Sequence, residues 1–166
     1  MSDQAAVDAA VGQIRQALTE AGIEFEEPSP AAFVANLPGQ RRLKTACWLF
    51  VGRQGLAVEA FVIRKPDENA ADVHRWLLAH NARMFAVSWS IDDDGDIYLT
   101  GRLPLPAVTA EVVDQLLGVV LDYADTASTP CWNWASARPS PGSGPGGRAA
   151  ASRWPTWPRS PGSCAG

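Results

Sequence analysis

Two long apolar runs joined by a short polar link constrain this chain more than any other feature. The runs Leu43–Val51 and Leu56–Arg64 are rich in β-branched, aromatic and aliphatic side chains, which favour strands. The link between them reads Gly-Arg-Gln-Gly and has a plausible length for a hairpin loop. The pattern therefore predicts two long antiparallel strands near the middle of a sheet.

Three helices are predicted from apolar residues at helical spacing. The first covers about residues 3–21, and the second covers about residues 67–82 with Asp67 as its N-cap. The third opens at Pro106 or Thr109 and runs to about Asp125. The positions that define the buried faces are Val7, Val11, Ile14 and Leu18, then Val73, Trp76, Leu77 and His80, and finally Val112, Leu116, Val120 and Tyr123.

Shorter strands are expected on both sides of the central hairpin. Residues 23–26 and 32–37 precede it, and a second hairpin joins residues 85–89 to 97–100, with Gly95 as the left-handed residue of its tip. Because no βαβ alternation is present, we predict an α+β fold. It is a mostly antiparallel sheet of about five strands with helices packed on it, in the order α-β-β-β-(β)-α-β-β-α.

Composition excludes several classes of protein. No apolar run approaches the roughly 20 residues that span a bilayer, and the first residues do not read as a signal peptide, so we expect a cytoplasmic location and no membrane partner. Residues 128–166 hold four arginines and no acid, which leaves residues 1–127 with ten basic and eighteen acidic side chains. A body so acidic is a poor match for nucleic acid.

Neither metal nor nucleophilic chemistry has a motif in this sequence. The three cysteines, Cys47, Cys131 and Cys164, form no Cys-x-x-Cys pair, and the two histidines, His74 and His80, lie on opposite sides of a helix. Cys47 is expected to be a buried, reduced thiol. The acids of residues 92–96 are contiguous and read as a solvated hairpin tip instead of a calcium loop. We therefore expect no cofactor, no metal, no catalytic residues and no enzyme.

Five short stretches between about Phe33 and Asp125 carry a family resemblance. They are Leu37-Pro38-Gly39, Leu43-Lys44-Thr45, Val58-Glu59-Ala60-Phe61, Arg64-Lys65-Pro66-Asp67-Glu68-Asn69, and Gly95-Asp96-Ile97-Tyr98-Leu99-Thr100-Gly101-Arg102. This part of the chain resembles the actinobacterial branch of the YbjN-type proteins, within the type III secretion chaperone-like class, whose members are called sensory-transduction regulators or chaperone-like proteins. The resemblance implies one chaperone-like domain over residues 1–127 and a non-enzymatic, protein-binding or regulatory role, most simply as a homodimer.

Polar residues within these matching stretches form the predicted binding surface. They are Arg64, Asp67, Glu68, Asn69, Asp96, Tyr98 and Arg102. The alternative is a small-molecule sensor or enzyme, with a polar pocket between residues 64–69 and 95–102. We interpret three tryptophans, Trp48, Trp76 and Trp89, as residues of the core or of a sheet face in preference to the walls of a binding cage.

The composition changes abruptly at Ser128. Of the 39 residues from there on, thirteen are Pro or Gly and four are Trp, with no Leu, Ile, Val or Phe. Sliding the reading frame back by one base turns residues 132–135, Trp-Asn-Trp-Ala, into leucine, glutamate, leucine and glycine, an apolar segment of the kind the YbjN type has there. We therefore predict an out-of-frame, disordered tail over residues 128–166, and greater stability once the frame is restored. A genuine Pro/Gly-rich tail is the alternative.

Overall fold

The computed structural model of the chain describes residues 3–39 and 44–135. These residues form one six-stranded antiparallel sheet in the order β1-β2-β3-β4-β6-β5, with three helices. The elements, in chain order, are α1 Asp3–Glu20, β1 Glu24–Ser29, β2 Ala32–Leu37, β3 Thr45–Gly52, β4 Gly55–Ile63, α2 Ala70–Asn81, β5 Val87–Ile91, β6 Ile97–Pro104, a 3-10 turn at Leu105–Ala107, and α3 Ala110–Ala135.

The three helices cover a single face of the sheet. In β3 the side chains alternate strictly, with Cys47, Leu49 and Val51 buried and the residues between them exposed. The buried set forms one hydrophobic core with apolar residues of all three helices, including Ile14, Val73 and Val113. Each such buried side chain contributes roughly 1.5–3 kcal/mol. The opposite face of the sheet is therefore left without a helix in the described part of the chain.

The predicted fold class is confirmed, and so is the position of the first hairpin. β3 and β4 are the two central strands, and Gly95 takes a positive φ of 90° in the second hairpin. The sheet has six strands in the described residues, against about five predicted. The start of the predicted strand at Leu43 lies outside the described residues, and so does the predicted out-of-frame segment from residue 136 onward.

The start of α2 differs from the prediction, whereas the start of α3 agrees with it. Asp67 was expected to cap α2, but the helix begins at Ala70 after Asn69, whose φ of 57° is left-handed. The reason is local, because the left-handed backbone of Asn69 interrupts any right-handed helix that would run from Asp67 into Ala70. Asp96 Oδ1 accepts a hydrogen bond from the Lys65 amide at 2.7 Å in the loop before it. The start of α3 is confirmed, since Thr109 Oγ1 accepts a bond from the Val112 amide at 3.3 Å.

The far end of α3 also differs from the prediction. Its backbone stays helical to Ala135, beyond the predicted end at about Asp125. Residues 128–135 are therefore helical, where a disordered tail over residues 128–166 was predicted. The buried face is rotated too, because Val112 and Tyr123 are only half-buried. The buried positions are instead Val113, Leu116, Leu117, Val120, Ala124 and Ala127.

The turn before β5 is strained at Ala86. This alanine has a φ of 64°, and the Val87 amide donates to the Phe85 carbonyl at 2.7 Å across it. The three residues thus form a tight turn in a region that costs an L-residue about 1–2 kcal/mol.

Glycine at this position should stabilise the protein. We expect Ala86→Gly to raise the free energy of unfolding by about 0.5–1 kcal/mol, because relief of strain outweighs the added freedom of the unfolded chain. Ala82→Gly is the matched control: Ala82 is also exposed but has a φ of −62°, so it should lose about 0.5–1 kcal/mol. Urea midpoints measure both, and a loss in both variants would contradict the account of strain.

Burial of Cys47 should make stability depend on pH at the alkaline end. The side chain is fully buried, as predicted, and burial raises the pKa of its thiol to about 12. In the unfolded chain the thiol ionises near pH 8.5, so at mildly alkaline pH the unfolded state loses this proton while the folded state keeps it. The folded state is therefore fully stable with respect to this group below about pH 8.5, and it loses stability as the pH rises toward the folded pKa.

This difference is measurable. The free energy of unfolding should fall by about 1–2 kcal/mol between pH 8 and pH 10 on account of this thiol alone. Cys47→Ala should show a flatter dependence over the same range, although it starts from a lower stability because it leaves a small cavity. Urea titrations of both proteins at both pH values decide this, and identical slopes would contradict the prediction.

Candidate functional site

The uncovered side of the sheet is the main candidate surface, and we call it the open face. Strand register places its residues in rows that cross the sheet: Trp48 is opposite Val34 on β2 and opposite Glu59 on β4. Phe50 is likewise opposite Ala57. The open face is defined by the outward residues Val34, Ala46, Trp48, Phe50, Ala57, Glu59, Phe61, Tyr98, Thr100 and Arg102.

Trp48 and Phe50 form a flat aromatic pair at the centre of the open face. Their rings stack with centroids 5.5 Å apart and an angle of 7° between planes, because alternate residues of one strand point to the same side. They remain 39% and 41% exposed. Phe61 and Tyr98 make a second, edge-to-face pair on neighbouring strands, with centroids 5.5 Å apart. Exposed apolar patches of this kind mark interaction surfaces.

Carboxylates border the aromatic pair. Glu59 is beside Trp48, and Glu26 is opposite Val34 on β1, so the four residues form one row. Among the described residues, neither carboxylate has an ion-pair partner. Glu24 differs, because its carboxylate accepts a bond from Lys44 Nζ at 2.8 Å, and this bond and the lysine charge lower its pKa.

The end of the open face that carries Tyr98 is acidic. Partial desolvation raises the pKa of its hydroxyl, and the charges of Asp92, Asp96 and Glu59 raise it further. Asp92 Oδ1 accepts the amides of Asp94 at 3.0 Å and Asp96 at 2.8 Å, which fixes the hairpin tip next to the tyrosine. Tyr98 therefore stays a neutral donor at physiological pH.

The structure brings part of the predicted binding surface together. The bond from the Lys65 amide to Asp96 joins the β4–α2 loop to the second hairpin tip. Arg64, Asp67 and Glu68 in this loop are exposed, whereas Asn69 is half-buried at the N-cap of α2.

Arg102 lies far from that junction. It pairs with Ala57 near the opposite end of β6, about 20 Å from Asp96 at the usual rise of a strand. Tyr98 and Arg102 thus belong to the open face, while the other five predicted residues lie at one end of the sheet. The predicted set does not converge on one pocket.

Sequence reasoning missed the residues at the centre of the open face, namely Trp48, Phe50 and Glu59. Alternation of β3 showed two faces, but both were apolar, so the pattern did not indicate which face the helices would cover. Trp48 was expected in the core or on a sheet face, and it lies on the exposed sheet face. Trp89 is buried and Trp76 is half-buried in the core, in tilted contact with centroids 6.4 Å apart.

A second exposed apolar surface, the α2 edge patch, consists of Leu78, Phe85 and Ile91. These side chains are 70%, 73% and 44% exposed. Leu78 is on α2, Phe85 is in the turn that follows α2, and Ile91 ends β5. At the outer edge of β5, Asn81 donates to the Trp89 carbonyl at 3.2 Å and accepts from the Trp89 amide at 2.7 Å. The side-chain amide thus occupies backbone groups that would otherwise pair with another strand.

A shallow cavity of about 430 Å³ lies between α1 and α3, away from both surfaces. Its charged residues are all acidic. The described part of the chain contains no cluster of three His, Cys, Asp or Glu side chains able to hold a metal ion. Among the described helices, none is long and apolar enough to cross a membrane. The residues that line the cavity are Ala17, Glu20, Ala21, Ala110, Glu111 and Asp114.

The fold is that of the type III secretion chaperone-like proteins. A chain of the ExsC–ExsE complex aligns with a TM-score of 0.54 at 17% identity, covering 74% of this chain and 92% of that one. A chain of the ExoU–SpcU complex of Pseudomonas aeruginosa gives 0.53 at 14% identity, covering 68% and 93%. A chain of the HopA1–SchA chaperone–effector complex gives 0.52 at 12% identity, covering 82% and 100%.

Within that fold class, the chain belongs to the YbjN family, described as "Putative bacterial sensory transduction regulator", which it matches over residues 10–131. It is 49% identical over 98 residues to an uncharacterized protein of Mycobacterium tuberculosis (strain ATCC 25618 / H37Rv), covering 59% of this chain and 54% of that protein. It is 50% identical over 93 residues to one of Mycobacterium leprae (strain TN), covering 56% and 50%. The chain thus spans about half the length of the curated relatives it matches.

Proposed function

We propose that the chain is a non-enzymatic, protein-binding domain of chaperone-like or regulatory type, and that the open face is its binding surface. The observation that carries this proposal is the stacked pair Trp48–Phe50 on a sheet face that none of the described helices covers. Aromatic residues are enriched at the centres of protein interfaces, where one face of the ring is desolvated by the partner. The solved proteins of the same fold come from complexes named as chaperone–effector or heterodimeric assemblies, which supports the same reading.

The alternative of a small-molecule sensor or enzyme has less support. It requires Arg64, Asp67, Asn69, Asp96 and Arg102 to converge on a concave pocket. Arg64, Asp67 and Arg102 are exposed, and Arg102 is at the other end of β6. A surface formed by flat aromatic side chains suits a polypeptide better than a small molecule, which is usually enclosed.

We further propose that the chain forms a homodimer through the α2 edge patch. Leu78, Phe85 and Ile91 leave an exposed apolar surface on each copy, and a two-fold interface would bury the same residues of both copies. Sedimentation at micromolar concentration tests this, and a strict monomer would contradict it. Leu78→Asp should favour the monomer without affecting the open face.

Partner binding is tested by comparing the open face with the α2 edge patch. The tagged wild-type chain, a Trp48→Thr/Phe50→Thr variant and a Leu78→Asp variant are used to recover partners from cell extract. Any protein recovered by the wild type is then purified and titrated against all three. The proposal requires a binary complex that is weakened only in the Trp48→Thr/Phe50→Thr variant. A partner that binds all three equally would contradict it.

A further inference from the structure

We propose that the open face recognises a basic segment of its partner, with an arginine seated between the ring of Trp48 and the carboxylate of Glu59. This inference rests on the proposed function and adds the chemistry of the partner. It follows from three observations on the described part of the open face: carboxylates without an ion-pair partner, the exposed ring of Trp48, and little free positive charge.

Within residues 3–39 and 44–135, neither Glu59 nor Glu26 has an ion-pair partner. Glu59 is directly opposite Trp48 on the neighbouring strand, and Glu26 lies in the same row on β1. Neighbouring strands are about 4.8 Å apart, so Glu59 is within reach of any group that touches the tryptophan ring. An incoming cation would meet an unpaired carboxylate there, whereas an incoming acid would be repelled.

Among the residues that the structure describes, Phe50 is the one aromatic residue stacked on the Trp48 ring. Phe50 covers one face, with an angle of 7° between the planes. The next outward residue of β3 in the opposite direction is Ala46, whose methyl group is too small to cover an indole. A planar guanidinium can stack on the opposite face while it donates two bonds to a carboxylate, which an ammonium group cannot do.

The described part of the open face has little positive charge to compete. Lys44 near its border is already paired with Glu24 at 2.8 Å. Arg102 is beside Ala57 on the far side of β4, diagonal to Glu59. Residues 1–127 as a whole carry eighteen acidic and ten basic side chains. Such a body attracts a basic partner at long range and disfavours an acidic one.

Four labelled peptides of about 12 residues, long enough to cross the sheet, provide the test. Each alternates leucine and serine, and two central positions hold arginine, lysine, citrulline or glutamate. Citrulline keeps the shape of arginine without its charge. By fluorescence anisotropy on the full chain, we expect the arginine peptide to bind at least about tenfold more tightly than the citrulline peptide. The lysine peptide should be intermediate and the glutamate peptide weakest.

Variants locate the contact. Glu59→Gln should weaken the arginine peptide by about fivefold or more and leave the citrulline peptide unchanged. Glu111→Gln, at an exposed glutamate on α3, is the matched control and should change neither. Trp48→Thr should weaken both peptides.

Each adverse result has a separate meaning. Equal binding of the arginine and citrulline peptides, with both lost in Trp48→Thr, would overturn the basic partner and preserve the open face as a binding surface. Binding that is unchanged in Trp48→Thr would overturn the proposed function as well. Failure of the arginine peptide to bind at about 1 mM would overturn the basic partner, because this is the weak limit of specific association; the open face would then be judged with the purified protein partner.

Discussion

Threonine at both Trp48 and Phe50 is expected to weaken partner binding by at least about thirtyfold, because a central tryptophan contributes 2 kcal/mol or more at an interface. The fold should tolerate the change. Both side chains are about 40% exposed and point away from the core, and threonine keeps the β-branched shape that strands favour. We expect a loss of stability of no more than about 2 kcal/mol.

Two measurements on the same samples decide this prediction. Calorimetric titration gives the affinity for the purified partner, and a urea titration shows that the variant is folded. Phe85→Thr is the matched control, because Phe85 is 73% exposed but belongs to the α2 edge patch. Wild-type affinity in the Trp48→Thr/Phe50→Thr variant, or a comparable loss in Phe85→Thr, would contradict the assignment of the open face.

Gly55→Ala is expected to cause the largest loss of stability among single substitutions at the central hairpin, about 3 kcal/mol or more. A Cβ atom at this position would overlap the carbonyl oxygen of Leu103 and come within 3.2 Å of Pro104 Cα. Both contacts are with backbone atoms of β6, which cannot turn aside as a side chain can. The two strands would therefore have to separate where β4 begins.

Gly52→Ala provides the control within the same hairpin. A Cβ atom there would meet only the Gly55 carbonyl oxygen at 3.9 Å, an ordinary contact, so the stability should change by no more than about 0.5 kcal/mol. Urea midpoints of the two variants and the wild type are sufficient. If the two substitutions had the same effect, the close approach of β4 and β6 would not be a determinant of the fold.

The sequence predicted the elements that rest on local patterns. The two apolar runs around residues 52–55 indicated the central hairpin, and apolar residues at helical spacing indicated the three helices. The features that the sequence did not predict depend on contacts between residues that are distant in the chain. The bond from the Lys65 amide to Asp96 joins the loop before α2 to the second hairpin tip, and these residues are 31 positions apart.

The candidate site was harder to predict than the fold. Trp48 and Phe50 alternate with Cys47 and Leu49, and all four are apolar, so the pattern alone does not tell the exposed face from the buried one. That choice is made by where the helices pack, which involves residues throughout the chain. The predicted binding residues were chosen because they are polar and lie in the stretches that resemble the family, and the structure separates them between the open face and one end of the sheet.

The family and the fold class indicate the general kind of function and leave the partner unidentified. Membership of the YbjN family and the chaperone-like fold agree with a protein-binding role, while the homodimer and the cytoplasmic location stay predictions. The frame of the C-terminal segment also stays a prediction, since residues 136–166 lie outside the described part of the chain. Sequencing the gene across codons 128–136 would show whether the alternative frame encodes the leucines expected there.

Hydroxyl-radical footprinting of the chain, free and bound to its purified partner, shows whether the partner covers the open face. The oxidation of each side chain is read by mass spectrometry and reports its exposure. We expect partner binding to lower the oxidation of Trp48 and Phe50 by about fivefold or more, because residues at the centre of an interface are desolvated. Phe85 should be unaffected by the partner. Unchanged oxidation of Trp48 and Phe50 in a saturated complex would contradict the claim that the open face is the binding surface.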